Sequence, residues 1–468
     1  MKLYKGRIPN DPNPLMDEIN RSLPFDIRLL PYDVATNRAW AGELQRLGVF
    51  SAEEYAAVQE TLTAVQAEFE AGGFDPLPDD EDVHTLVERK LTEALGPVGA
   101  RIHTGRSRND QVVTDLRLYC VERLKELGTA LLALIQTLAT RAREHRDTLM
   151  AGTTHMQPAL PVTLGHYLLS LAAAIQRDHD RTRSTLDHTN RCPLGAGAMA
   201  GSGFPVDRQA LADALGFAGV LPNSIDAVSD RDFCIEIAST CALITTHLSR
   251  YADQFIVWAN PAFGTVRFAD QWSTGSSMMP QKRNPDAMEL IRGKASRVHG
   301  NLVHLLSMLK GVPLSYAKDL QEDKEPLFEA LDTTLLCVRV FDKAVASATF
   351  NPERLAAALT DDMLATDLAD ALARAGVPFR VAHERVGAWV SELEAAQRGI
   401  LETSLAERAQ VFPELGENGA VLSFADSVAA RHVAGGTAPS SVDQQIADLE
   451  QFLQTNGFSN EAGDPPQS

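Results

Sequence analysis

Four short stretches concentrate the residue types that could do chemistry. The densest, residues 275–285, reads GSSMMPQKRNP. Gly275, Pro280 and Pro285 argue against a regular helix there. Ser276 and Ser277 supply hydroxyls, Lys282 and Arg283 cations, and Gln281 and Asn284 amides. A helical pattern follows at once, from Asp286 through Leu290 to Val303 and beyond. A cationic, amide-rich loop that feeds a helix N-terminus is suited to holding an anion. The same composition also serves an ordinary connector, so this loop alone decides nothing.

The other stretches are residues 101–111 (RIHTGRSRNDQ), 152–158 (GTTHMQP) and 315–325 (SYAKDLQEDKE). The second brings His155 beside Thr154, and histidine is the usual proton carrier near neutral pH. A buried, satisfied histidine is the plain alternative. A carboxylate partner would sharpen the catalytic reading, and Glu289 can serve only if the fold brings the two together. Other chemistries lack their signatures. Glu81, Asp82 and His84 lie close together, but there is no H-E-x-x-H, paired cysteine or calcium loop, so no metal is expected. G-x-S-x-G is absent, which removes the usual hydrolase elbow. The Gly-rich stretch 193–205 (PLGAGAMAGSGFP) has neither the sequence nor the strand context of a phosphate loop.

Composition narrows the partners. Forty-three basic residues against 62 acidic ones leave a formal charge of −19, which argues against nucleic acid or an anionic membrane as the general partner. A local basic pocket for a small anion stays open. Cys120, Cys192, Cys234, Cys241 and Cys337 are odd in number and scattered through apolar helical patterns, as free thiols of a reducing cytoplasm would be. The opening MKLYKGRIPNDPNP has no apolar run, so no secretory leader is expected. No stretch is long and apolar enough to predict a membrane span.

The elements that must position these stretches read as helices almost throughout. Residues 1–20, rich in Pro, Asn and Asp, read as extended. Val34, Ala41, Leu44 and Leu47 then recur at helical spacing up to Gly48. Ser51 with Glu54 forms a capping box that opens a second helix, and Asp82 or its neighbour starts a third. Long helical patterns follow residue 111, Pro161, Arg231, Asp286 and Asp323. The run from Arg231 to Trp258 would span roughly 42 Å. Convincing two-residue alternation is almost absent. The expectation is an all-α chain with breaks near residues 110 and 360. It has an N-terminal helical domain (1–110), an elongated long-helix bundle (111–360) and a small C-terminal helical domain (361–468) that ends in a disordered tail.

Taken together, these motifs resemble a known family. GSSMMPQKRNP is similar to the GSSxMPxKxN signature of the fumarase/aspartase superfamily. TGRSRNDQV (104–112), THMQPALPVTLGHYLL (154–169), YAKDLQEDKE (316–325), EDVHTLVERKL (81–91) and GGTAPSSV (435–442) resemble the argininosuccinate lyase family within it. The likeness covers nearly the whole chain. It departs at the start, where the family's WGGRF-like opening is replaced by KLYKGRIPNDPNP.

The resemblance implies reversible cleavage of argininosuccinate to arginine and fumarate, without a cofactor. It also implies a homotetramer with a 20-helix core, whose active sites each draw on three subunits. By the same likeness Ser276 is the base, His155 the partner acid and Glu289 its orienting carboxylate, although the superfamily admits the reverse assignment. Lys282 and Asn284 would hold the fumarate-side carboxylate. Ser22, Asn109 and Thr154 would bind polar groups of the substrate, and Tyr316, Gln321 and Lys324 would grip its arginine end. Gln281 and Arg108 are further candidates, with Asp82 and His84 behind them. Two competitors remain: a sister lyase acting on adenylosuccinate, aspartate or malate, and an inert crystallin-like relative.

Overall fold

A computed structural model of the chain describes residues 13–74, 76–416 and 422–458. Five long helices dominate: Arg108–Glu144, Leu164–Thr189, Asp232–Ala259, Asp286–Leu309 and Lys324–Ala346. Their cores follow the apolar spacing. In the Asp232–Ala259 helix, Phe233, Ile237, Cys241, Ile244, Leu248 and Phe255 are all buried. Shorter helices precede them, chiefly Leu30–Arg46, Ala52–Glu70 and Val83–Leu95. The described strands form two small antiparallel pairs, Leu149–Thr154 with Gln157–Thr163 and Val266–Arg267 with Thr349–Phe350. The all-α expectation holds, and no described helix is long and apolar enough to cross a membrane.

Local chemistry sets the helix starts. Ser51 Oγ accepts the Glu54 N–H at 3.2 Å, and the Glu54 carboxylate accepts the Ser51 N–H at 2.9 Å. Asp82 Oδ1 caps the next helix through Thr85 N at 2.6 Å. Ser51→Ala removes one half of the first box. It should cost about 1 kcal/mol, read as a small fall in the thermal unfolding midpoint with unchanged circular dichroism.

The chain contains two compact units. Unit 1 comprises Met1–Gly128, Asp180–Ile244 and Ala295–Leu335. Unit 2 comprises Thr129–His179, Thr245–Lys294 and Leu336–Ser468. In unit 1, Trp40 is fully buried and its indole N–H donates to the Thr104 carbonyl at 3.2 Å, tying the Leu30–Arg46 helix to the 101–111 stretch. In unit 2, Phe255 touches the rings of Trp258, Phe268, Phe341 and Phe350. A separate cluster of that unit packs Leu368, Leu372, Val386, Trp389 and Phe412.

Two local expectations change. Residues 14–20 form the helix Pro14–Asn20 rather than extended chain, because Asn13 Oδ1 caps it through Leu15 N at 2.9 Å and Pro14 preorganises the first turn. The 152–158 stretch lies in a two-stranded hairpin, where almost no two-residue alternation was expected. Residues 1–12 and the expected disordered tail at 459–468 lie outside the described residues.

Candidate functional site

Unit 2 holds the first group of expected site residues. The hairpin pairs Leu149–Thr154 with Gln157–Thr163, leaving His155 and Met156 as its two-residue turn. Both have positive φ, 52° and 61°, as a tight hairpin turn of the primed type requires. Thr154 and His155 are exposed at this tip. Behind them the strands approach closely at Gly152, where a Cβ would meet the Leu160 carbonyl oxygen at 2.7 Å.

The 275–285 loop is pinned at its base and open at its top. Thr274 and Asn284 exchange backbone hydrogen bonds of 3.3 and 2.9 Å. The Thr274 N–H and hydroxyl both donate to Asp286 Oδ2, at 2.9 and 2.6 Å. Arg283 donates to the Asp270 carboxylate and to the Phe268 carbonyl. Inside the loop, Ser276 Oγ accepts the N–H groups of Met278 and Met279 at 3.2 and 3.0 Å. Gln281, Lys282, Asn284 and Glu289 line one open cleft of about 680 Å³ with Arg267. The cations and amides suit an anion, as the sequence suggested. Among the described residues, no hydrogen bond or ion pair joins His155 to Ser276 or to Glu289.

Unit 1 holds the second group. Gln321 Nε2 donates to the Asn20 carbonyl at 3.1 Å, which brings residues 20 and 321 together across 301 positions. The Ser22 hydroxyl donates to Asp26 Oδ2 at 2.5 Å, so its lone pairs stay available to a donor. Lys324 is buried, and its ammonium bonds Asp323 Oδ1 at 2.8 Å. Asp323 Oδ2 accepts Arg231 Nε at 2.5 Å. Burial works to raise the Asp323 pKa, but Lys324 and Arg231 outweigh it and hold the carboxyl below its usual range. Tyr316 is half-buried and lies within electrostatic reach of Arg231. Asn109 Nδ2 donates to the Ala198 carbonyl at 3.1 Å. Asp26, Asp323 and Arg231 escaped the sequence reading. Only the adjacency of Asp323 to Lys324 could have flagged one of them.

Beneath the 101–111 stretch lies a charged cluster in which Asp33, His84 and Asp115 are fully or almost fully buried. His84 Nδ1 is 2.8 Å from Asp33 Oδ1 and 3.1 Å from Asp115 Oδ2. Burial disfavours the imidazolium, yet the two aspartates outweigh it and push the His84 pKa up to about 10. Asp115 is raised, by burial first and then by the Asp33 charge. Asp33 is lowered, because His84 overcomes its burial. Gln111 Nε2 donates to Asp33 Oδ1 at 2.5 Å, which ties this cluster to the RNDQ segment. The three residues place potential ligand atoms within 4.8 Å of one another. The imidazolium itself already supplies the positive charge between the two carboxylates. Arg108 lies 3.7 Å from Asp82 and 3.5 Å from Glu88.

The chain is similar to known proteins over almost all of its length. The sequence pattern of a family described as Lyase matches residues 6–300, and that of the argininosuccinate lyase C-terminal region matches residues 362–429. The argininosuccinate lyase of Roseiflexus sp. (strain RS-1) is 48% identical over 458 residues, covering 97% of this chain and 100% of the relative. That of Chloroflexus aggregans (strain MD-66 / DSM 9485) is 47% identical over 446 residues, 95% of this chain and 96% of its own. Among solved structures, EDDS lyase in complex with formate superimposes with a TM-score of 0.81 at 28% identity, covering 94% of this chain and 89% of that one. The 3-carboxy-cis,cis-muconate lactonizing enzyme from Pseudomonas putida does so with a TM-score of 0.71 at 20% identity, over 94% of this chain and 100% of that one, a likeness of fold alone.

Proposed function

Since the chain belongs to the argininosuccinate lyase family, we propose that it cleaves argininosuccinate reversibly to L-arginine and fumarate, as a carbon–nitrogen lyase of arginine biosynthesis. The observation that carries the reading is the 275–285 loop. It aims two backbone N–H groups at Ser276 Oγ and sets Lys282 and Asn284 in one cleft with Glu289.

The reaction removes a weakly acidic proton from the carbon beside a carboxylate, then protonates the departing guanidinium nitrogen. The first step builds a doubly charged carboxylate, which needs fixed cations and N–H donors. Lys282 and Asn284 take the fumarate-side carboxylate, and Gln281 lines the same cleft. Ser276 removes the proton; its anionic form is favoured by the two N–H donors and the nearby cation. His155 donates the proton to the leaving nitrogen, with Glu289 as its orienting carboxylate across the subunits that build each site. Tyr316, Gln321 and Lys324 hold the arginine end. Ser22, Asn109 and Thr154 bind polar groups of the substrate.

The same reading includes a cytoplasmic homotetramer whose active sites combine residues from three subunits, and the three-part division 1–110, 111–360 and 361–468. Support for assembly comes from Leu290, Val303 and Leu306 on one long helix, which are 60%, 61% and 49% exposed in the single chain. A sedimentation mass near the single-chain 50.8 kDa would contradict the shared site.

The direct test supplies argininosuccinate and follows fumarate by its ultraviolet absorbance. Fumarate from adenylosuccinate, with none from argininosuccinate, would overturn the assignment in favour of a sister lyase. No turnover of argininosuccinate, adenylosuccinate, aspartate or malate would favour the inert relative. Lys282→Met should raise KM for argininosuccinate about tenfold or more, the equivalent of one charge-assisted hydrogen bond. An unchanged KM would remove Lys282 from the carboxylate site.

A further inference from the structure

The Gly-rich stretch 193–205 has no part in the chemistry described so far, yet it is built around an anion. That anion is the protein's own Asp110. The Asp110 side chain is fully buried, and its Oδ2 accepts the N–H groups of Gly195 and Gly197 at 3.0 and 2.9 Å. Gly195 and Gly197 have φ of +85° and +61°, and a Cβ on Gly197 would stand 2.6 Å from the Gly201 carbonyl oxygen. Only glycine supplies this backbone without strain. The next residue of the loop, Ala198, presents its carbonyl to Asn109 Nδ2 at 3.1 Å. Asn109 and Asp110 are consecutive in the first turn of the Arg108–Glu144 helix. One residue therefore grips the loop, and its neighbour is held by it.

The plain alternative is that Asp110 only caps its helix. It does cap: Oδ1 accepts the Ser107 N–H at 3.1 Å, while Ser107 Oγ accepts the Asn109 N–H at 3.2 Å. That employs one carboxylate oxygen. Capping does not explain why the other takes two N–H groups from a segment some 85 residues away. A further tie holds the loop against the same stretch, where the Ser202 hydroxyl donates to the Gly105 carbonyl at 2.7 Å.

We propose that Asp110 is a positioning residue, which fixes the Ala198 carbonyl through the Gly195 and Gly197 N–H groups and thereby sets the Asn109 amide in the orientation that meets the substrate. The proposal rests on the reading of Asn109 as a substrate contact. With one N–H of its amide committed to Ala198, Asn109 offers its Oδ1 and its second N–H in a fixed plane. Loss of the Asp110 grip frees that plane to rotate. The cost then appears in substrate binding rather than in the chemical step.

The test is a double-mutant cycle on the full-length enzyme, with argininosuccinate as substrate. Asn109→Ala should raise KM about tenfold or more. Asp110→Asn should raise KM by about three- to tenfold, with kcat within about threefold of wild type. The double variant should match Asn109→Ala alone, because a residue acting through Asn109 has nothing left to position. A wild-type KM for Asp110→Asn, or effects that multiply in the double variant, would overturn the proposal and leave the Asn109 contact standing. An unaffected KM in Asn109→Ala, with active wild type, would overturn both. If Asp110→Asn does not fold, Ser202→Ala takes its place in the cycle. It should raise KM by about threefold with Asn109 present and not at all in Asn109→Ala; no rise in either background would overturn the proposal.

Discussion

A Ser276→Ala enzyme is expected to keep its fold and assembly and to lose about a thousandfold or more in kcat, the scale of a lost general base. A serine hydroxyl is a poor base in water, so the surroundings must stabilise its anion. Here the Met278 and Met279 N–H groups converge on Oγ at 3.2 and 3.0 Å. Hydrogen bonds of this kind strengthen when the acceptor becomes charged, so they favour the alkoxide over the alcohol. In the alanine variant both N–H groups sit on exposed residues and can turn to water. Stability should therefore change by no more than about 0.5 kcal/mol. KM should move far less than kcat, because the fumarate-side carboxylate is left to Lys282 and Asn284. Ser277, exposed and next in sequence, is the natural control. A near-normal kcat in Ser276→Ala, with the loss in Ser277→Ala instead, would move the role by one residue.

The helices were legible because each carries its instructions locally. Ser51 with Glu54, Asp82 before Val83, and the buried stripe from Phe233 to Phe255 all act within a few turns. The Pro14–Asn20 helix carried such a signal too, Asn13 ahead of Pro14, but the surrounding Pro and Asp residues read as extended chain. The His155 hairpin carried almost none. Its strands are six and seven residues long, interrupted by a bulge at Gly152/Thr153, and its turn uses His and Met where Asn-Gly would have announced a positive-φ pair.

The site divides along the same line between local and distant information. The loop composition of 275–285 and the presence of Lys324 could be read directly, because residue type is local. The meeting of Gln321 with Asn20 could not, nor could the grip of Asp110 on Gly195 and Gly197. Those contacts join segments far apart in the chain, and their periodicities say nothing about each other. The acidic total charge was equally uninformative about the site. The charges that matter are paired or clustered one by one: Lys324 on Asp323, Arg231 on the same carboxylate, Lys282 in its own cleft.

The buried pairing of His84 with Asp33 and Asp115 leads to the largest expected effect on stability. His84→Gln should destabilise the protein by about 3–5 kcal/mol, the usual result of removing one partner from a buried charge pair. It leaves two fully buried aspartates side by side, with Thr36 on Asp115 and Gln111 and Asn37 on Asp33 as their remaining donors. The pH dependence follows from the direction of each shift. The His84 pKa is raised to about 10, so its stabilisation is complete below its ordinary value near 6.5 and is lost as pH rises through about 10. Asp33 is depressed, so its contribution is present above the usual carboxylate range and is lost in acid. Asp115 is raised, so protonating it favours the folded state, and that contribution is lost as pH rises through its elevated pKa. Without the imidazolium, at least one aspartate must take a proton to stay buried. The gap in melting temperature between wild type and His84→Gln should therefore be widest near neutral pH, should narrow at about pH 5 and should narrow again as pH rises towards about 10. Because Gln111 links this cluster to the Asn109 segment, the variant should also bind argininosuccinate more weakly at temperatures where it is fully folded. Equal melting temperatures at neutral pH, or a gap that widens in acid, would show that the imidazolium does not hold these carboxylates together.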